Sequence, residues 1–171
     1  MTISLYDASA LSYLQTLGAV SGFLEKGLAF CQENNIDPET VVETQVFPDM
    51  RPFRYQIQAV AHHSAHAIEA IKTGIFRAPE RPAHNYAELQ ALIAEAIDAV
   101  EKVTPEDINS RENSDVVFQA DPKRIFTTEA FVMTFSLPNV HFHAATAYGI
   151  LRAKGVPVGK RDFMGAMRLK A

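Results

Sequence analysis

The chain has 171 residues, 47% of them hydrophobic, which predicts one globular domain over residues 1–171. Its 16 basic and 20 acidic residues give a formal charge of -4 without a basic patch, so nucleic acid is not an expected partner. No apolar run reaches the roughly 18 residues of a membrane span. A single cysteine, Cys31, and an N-terminus without a signal-peptide pattern predict a cytoplasmic protein.

The first half of the chain begins with a long helix. Apolar residues with a helical period predict it over residues 8–34, after a cap at Asp7. Within it, Gly18 and Gly22 have the GxxxG spacing, which in this setting predicts close packing of a neighbouring element. The segment "IDPETVV", residues 36–42, predicts a short helical turn.

Two further long helices follow. The second is predicted from about residue 52 to Gly74, a natural left-handed cap. Residues 75–84 are predicted to form a loop. The third helix is predicted to start with a capping box of Asn85 and Glu88 and to end before the "TPED" segment.

The C-terminal part predicts a small hairpin and a last helix. Two β-prone runs flank "ADPK" within residues 115–127 and predict the hairpin. The last helix is predicted from after Thr128 to Gly155, with a kink or break at Pro138. Four amphipathic helices with short connections predict an all-α, four-helix bundle.

The last helix contains a polar strip in an apolar setting. Positions two apart on a helix point in nearly opposite directions, so His141 and His143 cannot both face the interior. The apolar face favours His143. Asn139 and Thr146 lie one turn before and after it, so these three side chains predict a polar strip facing the bundle.

The second helix supplies the other histidines, in "AHHSAH" at residues 61–66. The helical period favours His63 as the inward residue, two turns after Gln56. His62 and His66 form an i,i+4 pair that shares a different face with Glu69. That pair has the spacing of metal ligands, although exposed histidines with this spacing are common.

Three interpretations of the inward histidines stay open. They could hold a divalent metal between facing helices, with one position left to water. They could also be neutral core groups that hydrogen-bond to neighbours and have no metal. The third interpretation is a small-molecule pocket, for which the candidate lining residues beside the polar strip are Asp7, Tyr13, Gln56 and Tyr148.

Two motifs carry a family resemblance. "SLYDAS" at residues 4–9 and "LPNVHFHAATAYGILRAKGVPVGKRDFMG" at residues 137–165 make the chain similar to bacterial DinB-like proteins, closest to the domain-of-unknown-function family nineteen-ninety-three. The resemblance spans almost the whole chain and implies the DinB and YfiT type of four-helix bundle. In that superfamily some members hold a metal with three histidines, and some act as thiol-dependent transferases or isomerases.

The resemblance also implies candidate ligands. The last helix of the family has a histidine and a second histidine four residues later. His143 matches the second of these, and Asn139 occupies the position of the first. His63 or His62 would supply the ligand from the second helix, so the chain offers two of the three expected metal ligands. His141 could replace the missing third ligand only if the distortion at Pro138 rotates it inward. The pattern continues with Leu151, Arg152 and Gly155.

These observations give two functional expectations. The first is a divalent-metal-dependent enzyme of the hydrolase or thiol-transferase type, with zinc, nickel or iron at His63 and His143. The alternative is a non-catalytic bundle that binds a small molecule or itself and in which the histidines are structural. A homodimer is expected from the resemblance alone.

Overall fold

A computed structural model describes residues 3–170 as a mostly helical chain with a small three-stranded sheet. In chain order the elements are α1 (Leu5–Ala8), α2 (Ala10–Glu33), α3 (Glu39–Val42), α4 (Phe53–Ala61), a first π-helical turn (His62–His66), α5 (Ala67–Thr73), β1 (Ile75–Arg77), α6 (Tyr86–Glu101), α7 (Pro105–Asn109), β2 (Asp115–Gln119), β3 (Arg124–Thr127), α8 (Thr128–Ala130), a second π-helical turn (Phe131–Ser136), α9 (Leu137–Ala153) and α10 (Lys160–Met164). Within residues 3–170, no helix combines the length and apolar composition that crossing a membrane requires.

The start of the first helix differs from the prediction. Ser4, not Asp7, caps α1, and Asp7 is its partner in a capping box, because the two side chains bond each other's backbone N–H groups. The backbone leaves the helical region at Ser9, and α2 begins one residue later. The predicted third-helix capping box of Asn85 and Glu88 is confirmed.

Two of the long helical stretches contain a π-helical turn. The first lies between α4 and α5, and the second lies between α8 and α9. Such turns are rare and occur often at functional sites, since they insert an extra residue and change which side chains face a neighbour. The prediction was a kink or a break at Pro138. The helix does not break there, because its backbone is helical on both sides, and its irregularity is the π-helical turn that ends at Ser136, two residues before the proline.

The sheet is larger than predicted. The hairpin of β2 and β3 is confirmed, with Val116 opposite Phe126. The predicted loop after Gly74 is partly wrong, because β1 follows this glycine directly and pairs in parallel with β2. Gly74 itself ends α5 with a φ of 78°, as predicted. The added strand buries Phe76 against the helices.

The glycines of α2 pack differently from the prediction. A Cβ at Gly18 or Gly22 would meet no atom within 4 Å, so the predicted close approach is absent at the GxxxG pair. Gly27 is the close contact, since a Cβ there would collide with the Tyr86 hydroxyl group. That hydroxyl donates a 2.8 Å hydrogen bond to the Leu24 carbonyl oxygen, which holds α6 against α2.

This difference predicts opposite effects of alanine on one helix. Gly27→Ala should lower the free energy of unfolding by about 1 to 3 kcal/mol, because the new methyl group overpacks a buried contact. Gly18→Ala should raise it by up to about 1 kcal/mol, because the site is exposed and alanine favours the helix. Urea denaturation of both variants measures the difference, and equal stabilisation by both would contradict the packing described for Gly27.

Candidate functional site

The first π-helical turn determines where the second-helix histidines lie. His62 and His63 are both buried, with 5% and 7% of their surface exposed, whereas His66 is exposed. A regular helix would have separated His62 from His63 by about 100°, which predicted an exposed face for His62. The predicted exposure of His62 is wrong, because the wider turn lets consecutive side chains face the interior. The predicted shared face is present: His62, His66 and Glu69 line one cavity, and the two histidine rings lie 4.8 Å apart.

His143 on α9 is oriented by a glutamine on α4. Nε2 of Gln56 donates to the Arg51 carbonyl oxygen at 2.8 Å, which turns Oε1 toward the imidazole. Nδ1 of His143 lies 2.7 Å from that oxygen, so it carries the proton and donates. The Nε2 atom of His143 is therefore the nitrogen with the free lone pair.

The buried histidines of the π-helical turn have nitrogen atoms without partners. Nε2 of His62 donates to the Arg77 carbonyl oxygen at 3.0 Å, so its Nδ1 is an acceptor. Nδ1 of His62 and Nδ1 of His63 are both buried, and neither has a hydrogen-bond partner among the described residues. Buried polar atoms without a partner are uncommon in folded proteins, so these two nitrogen atoms distinguish the π-helical turn from the helices around it.

The second π-helical turn holds the first one in place. The Ser136 hydroxyl group donates to the His63 carbonyl oxygen. The Tyr13 hydroxyl group lies 2.6 Å from the Ser136 oxygen and donates to it, because the serine proton is already used. A buried chain of hydrogen bonds thus connects α2, the second π-helical turn and the backbone of His63.

A cavity of about 290 Å³ lies at these histidines, and we call it the histidine pocket. Its lining residues are Tyr55, His62, His63, Phe76, Ala78, Pro79, Arg81, Phe118, Phe135 and Asn139. His143 borders this group, with its ring 6.1 Å from the His63 ring and 5.8 Å from the Tyr55 ring. The histidine pocket is therefore mainly aromatic, with one charged side chain among the lining residues.

That charged side chain is Arg81. Its guanidinium group lies 3.7 Å from the centre of the Tyr55 ring, and Nη1 makes a 3.4 Å bond to the Tyr55 carbonyl oxygen. The ion pairs found among residues 3–170 are Lys26–Asp162 and Arg54–Glu43, and neither includes this arginine. A half-buried cation therefore faces the cavity without a carboxylate partner in the described chain.

The histidines around this cation are neutral at pH 7. Burial, together with smaller contributions from the nearby His62 and His143, lowers the pKa of His63 to about 3. Burial also lowers the pKa of His62 to about 4, with a smaller contribution from His66, and the pKa of His143 to about 4, with a smaller contribution from Arg81. The imidazoles therefore act here as hydrogen-bonding groups and not as charges.

The predicted site residues separate into two groups. His63, His143 and Gln56 lie together, and Asn139 lines the same pocket while its amide donates to the Phe135 carbonyl oxygen at 2.7 Å. His62 lies in the pocket wall, which the pattern did not favour.

The other predicted residues lie away from the pocket. Thr146 lines a different cavity, beside Val46 and Lys154, and the Tyr148 ring packs 5.9 Å from Phe163. His141 is exposed. The remaining candidates have other contacts: Asp7 caps α1, Tyr13 bonds Ser136 and His66 lines a neighbouring cavity.

The site residues do not form the three-ligand set that the resemblance implies. Among residues 3–170, no three histidine, cysteine, aspartate or glutamate side chains lie close enough together to hold a metal ion. Asn139 lies in the pocket where a histidine would be the third ligand, and His141 points away from it. Catalytic zinc usually takes three protein ligands, so a zinc, nickel or iron ion stays a prediction and no chemical step is assigned to it.

The sequence did not indicate Arg81 as a site residue. It lies in the proline-bounded segment before α6, where one arginine among several charged residues is unremarkable. Its position depends on where this segment crosses the helices: Nε2 of Gln58 donates to the Pro82 carbonyl oxygen at 2.7 Å and so fixes the segment. No local pattern encodes that contact.

This architecture is that of the DinB-like proteins. The crystal structure of a DinB family member protein from Shewanella denitrificans superposes with a TM-score of 0.80 and 26% sequence identity, covering 98% of this chain and 95% of that chain. The family described as "Domain of unknown function (DUF1993)" matches residues 5–164, so the chain belongs to that family, as the sequence motifs predicted. No curated protein matches the chain.

Proposed function

We propose that the protein is a DinB-type four-helix bundle that binds a small organic carboxylate in the histidine pocket. The observation that carries this proposal is the Arg81 guanidinium group, which faces a neutral cavity and has no carboxylate partner in the described chain. The four helices of the bundle are α2, α4 with α5, α6, and α9.

The unused hydrogen-bonding capacity of Arg81 favours an anion. A guanidinium group has several N–H donors in a rigid fork that matches a carboxylate. Arg81 uses one of them, in a long bond to the Tyr55 carbonyl oxygen. Arg51 adds positive charge, with its guanidinium carbon 5.5 Å from the same tyrosine ring. Charge-assisted bonds to a carboxylate are roughly twice as strong as neutral bonds, so a ligand of this class gains most from the site.

The rest of the histidine pocket favours an apolar body on that carboxylate. The Phe76 ring lies 5.4 Å from the Phe118 ring and 5.6 Å from the Phe135 ring, which provides an aromatic surface. Nε2 of His143, at the border of the pocket, adds an uncharged acceptor. Apolar walls with a few placed polar groups are typical of small-molecule sites.

The lowered pKa values of the histidines favour a role in binding over a role in proton transfer. With a pKa of about 3 for His63 and about 4 for His143, both are weak bases near pH 7, where an effective general base has a pKa close to neutrality. The hydrolase or thiol-transferase activity, the homodimer and the cytoplasmic location stay predictions.

Calorimetric titration with phenylacetate, against phenylacetamide as the neutral counterpart, tests the proposal. We expect the acid to bind the native protein and the amide to bind far more weakly. Arg81→Met keeps the apolar stem and removes the charge, so it should weaken phenylacetate binding by about tenfold to a hundredfold. Arg161→Met, which removes an exposed charge from α10, is the matched control and should leave the affinity unchanged.

Two results would overturn the carboxylate proposal. One is equal affinity of the native protein and Arg81→Met for phenylacetate. The other is near-stoichiometric binding of zinc, nickel or iron that His143→Ala abolishes, because a metal at His143 would give the pocket a different role.

A further inference from the structure

His63 presents one ring nitrogen to the histidine pocket. Its side chain lines the pocket and is 7% exposed, whereas its Nδ1 atom is buried and has no hydrogen-bond partner among the described residues. Nε2 is therefore the nitrogen that can reach a ligand. A buried N–H group without an acceptor is rarer than a buried acceptor without a donor, so the proton of this neutral ring lies on Nε2, which donates toward the pocket.

His143 presents the opposite hydrogen-bonding role. Its Nδ1–H group donates to Oε1 of Gln56, so its Nε2 atom accepts. The His63 and His143 rings are nearly parallel, at 14°, and their centres lie 6.1 Å apart. A hydrogen bond to a hydroxyl oxygen spans about 2.8 Å, so one oxygen atom can bridge nitrogen atoms up to about 5.6 Å apart. Rings at this separation are too far apart for a direct hydrogen bond but can share one oxygen atom.

A hydroxyl group is the ligand group that uses both roles at once. Its oxygen accepts from Nε2–H of His63, and its proton is donated to Nε2 of His143. A carboxylate oxygen would accept from His63 but has no proton for His143. An ammonium group would donate to His143 but cannot accept from His63.

The position between the two histidines is close to the cation that binds a carboxylate. The Arg81 guanidinium group lies 3.7 Å from the centre of the Tyr55 ring, and the His143 ring lies 5.8 Å from the same ring. The charge of Arg81 contributes to the lowered pKa values of both His63 and His143, so it lies within electrostatic reach of both. A ligand that contacts all three side chains therefore carries its hydroxyl group close to its carboxyl group.

We propose that the histidine pocket is selective for hydroxy acids. His63 and His143 bind the hydroxyl group, and Arg81 binds the carboxylate. The hydroxyl group lies on the carbon atom next to the carboxyl group or on the one after it, and the apolar body packs on Phe118 and Phe135. This inference rests on the carboxylate binding proposed above.

Calorimetric titration with mandelate and with tropate tests the proposal. Both acids keep the phenylacetate skeleton and add a hydroxyl group, on the first carbon atom after the carboxyl group in mandelate and on the second in tropate. We expect at least one of them to bind about tenfold more tightly than phenylacetate, since two hydrogen bonds are added.

A fluorinated acid separates hydrogen bonding from added volume. In the fluoro counterpart of the tighter-binding acid, fluorine replaces the hydroxyl group with an atom of similar size that has no proton to donate. We expect this acid to bind no more tightly than phenylacetate. Two hydroxy acids that bind no more tightly than phenylacetate, or a fluoro counterpart with the full gain, would overturn the proposal.

The variants His63→Phe and His143→Phe test which side chains bind the hydroxyl group. Each keeps an aromatic ring and removes the hydrogen-bonding nitrogen, so the advantage of the hydroxy acid over phenylacetate should fall by about threefold or more. His141→Phe changes an exposed position on the same helix as His143 and should keep the full advantage. An unchanged advantage in both pocket variants would contradict the assignment. The ligand comparison uses the native chain alone, so it decides the question even if a variant does not fold.

Failure of this inference differs from failure of the carboxylate proposal. If carboxylate binding is wrong, Arg81→Met binds phenylacetate as tightly as the native protein does. If hydroxyl recognition alone is wrong, phenylacetate binding depends on Arg81, but the added hydroxyl group gives no gain in affinity.

Discussion

Acidification below pH 6.5 is expected to unfold the protein over a narrow pH range. His62, His63 and His143 have pKa values of about 4, 3 and 4 in the folded chain, against an ordinary value of 6.5. Each pKa unit of difference between the folded and unfolded states corresponds to about 1.4 kcal/mol. The buried His62 and His63 and the half-buried His143, whose contribution solvent screening reduces, therefore together oppose folding by several kcal/mol at acidic pH.

The sign of the pH dependence of stability follows from which state, folded or unfolded, binds more protons. Above pH 6.5 the histidines are neutral in both states, and the full stability is present. Between pH 6.5 and about 4 the unfolded chain takes up protons that the folded chain does not, so stability falls as the pH falls. With three such histidines the slope approaches about 4 kcal/mol per pH unit, which is large against a typical stability of about 5 to 15 kcal/mol.

Urea denaturation at pH values from 7.5 to about 4.5 measures this dependence. His63→Gln removes one of the three groups and should reduce the slope by about one third. The capping carboxylates Asp7 and Asp107 have lowered pKa values, from an ordinary 3.8, so they lose their contribution at lower pH. A stability that is constant from pH 7 to pH 5 would show that these histidines are not buried as neutral groups.

The sequence predicted the parts of the fold that have local causes. The Asn85 and Glu88 capping box and the Gly74 cap depend on residues within one turn, so the local sequence is sufficient to predict them. The helical period also placed His63, His143 and Gln56 toward one another correctly, since Gln56 and His143 lie in regular helices and His63 follows the end of α4 by only two residues.

The parts that the sequence did not predict have tertiary causes. A π-helical turn shifts the hydrogen-bond partner by one residue and leaves no compositional signal, so the burial of His62 was not predicted. The three residues of β1 are too few to show alternation, and their pairing with β2 depends on a segment far along the chain. Arg81 reaches the histidine pocket because Gln58, on α4, bonds the carbonyl oxygen of the next residue, Pro82. This is a contact between two elements that are separate in the sequence.

Ser136→Ala is expected to destabilise the protein by about 2 to 5 kcal/mol. Ser136 is fully buried, and its hydroxyl group is the shared partner of the Tyr13 hydroxyl group and the His63 carbonyl oxygen. Each buried polar group left without a partner costs about 1 to 3 kcal/mol, and this substitution leaves two. Ser12→Ala, which removes a 3.1 Å bond to the Asp7 carbonyl oxygen at a half-buried position, should cost less than about 1 kcal/mol.

A double-mutant cycle separates this network from simple loss of packing. Tyr13→Phe alone leaves Ser136 bonded to His63 and should cost about 1 kcal/mol. In the double variant the tyrosine hydroxyl group is no longer stranded, so the combined loss should fall short of the sum by about 1 kcal/mol or more. Because Ser136 holds the backbone of His63, its loss should also shift the imidazole resonances of His63 and His143 in NMR spectra, whereas Ser12→Ala should leave them in place. Additive losses with unshifted resonances would mean that the two π-helical turns are held by packing alone, and the histidine pocket would then not depend on the hydrogen bonds behind it.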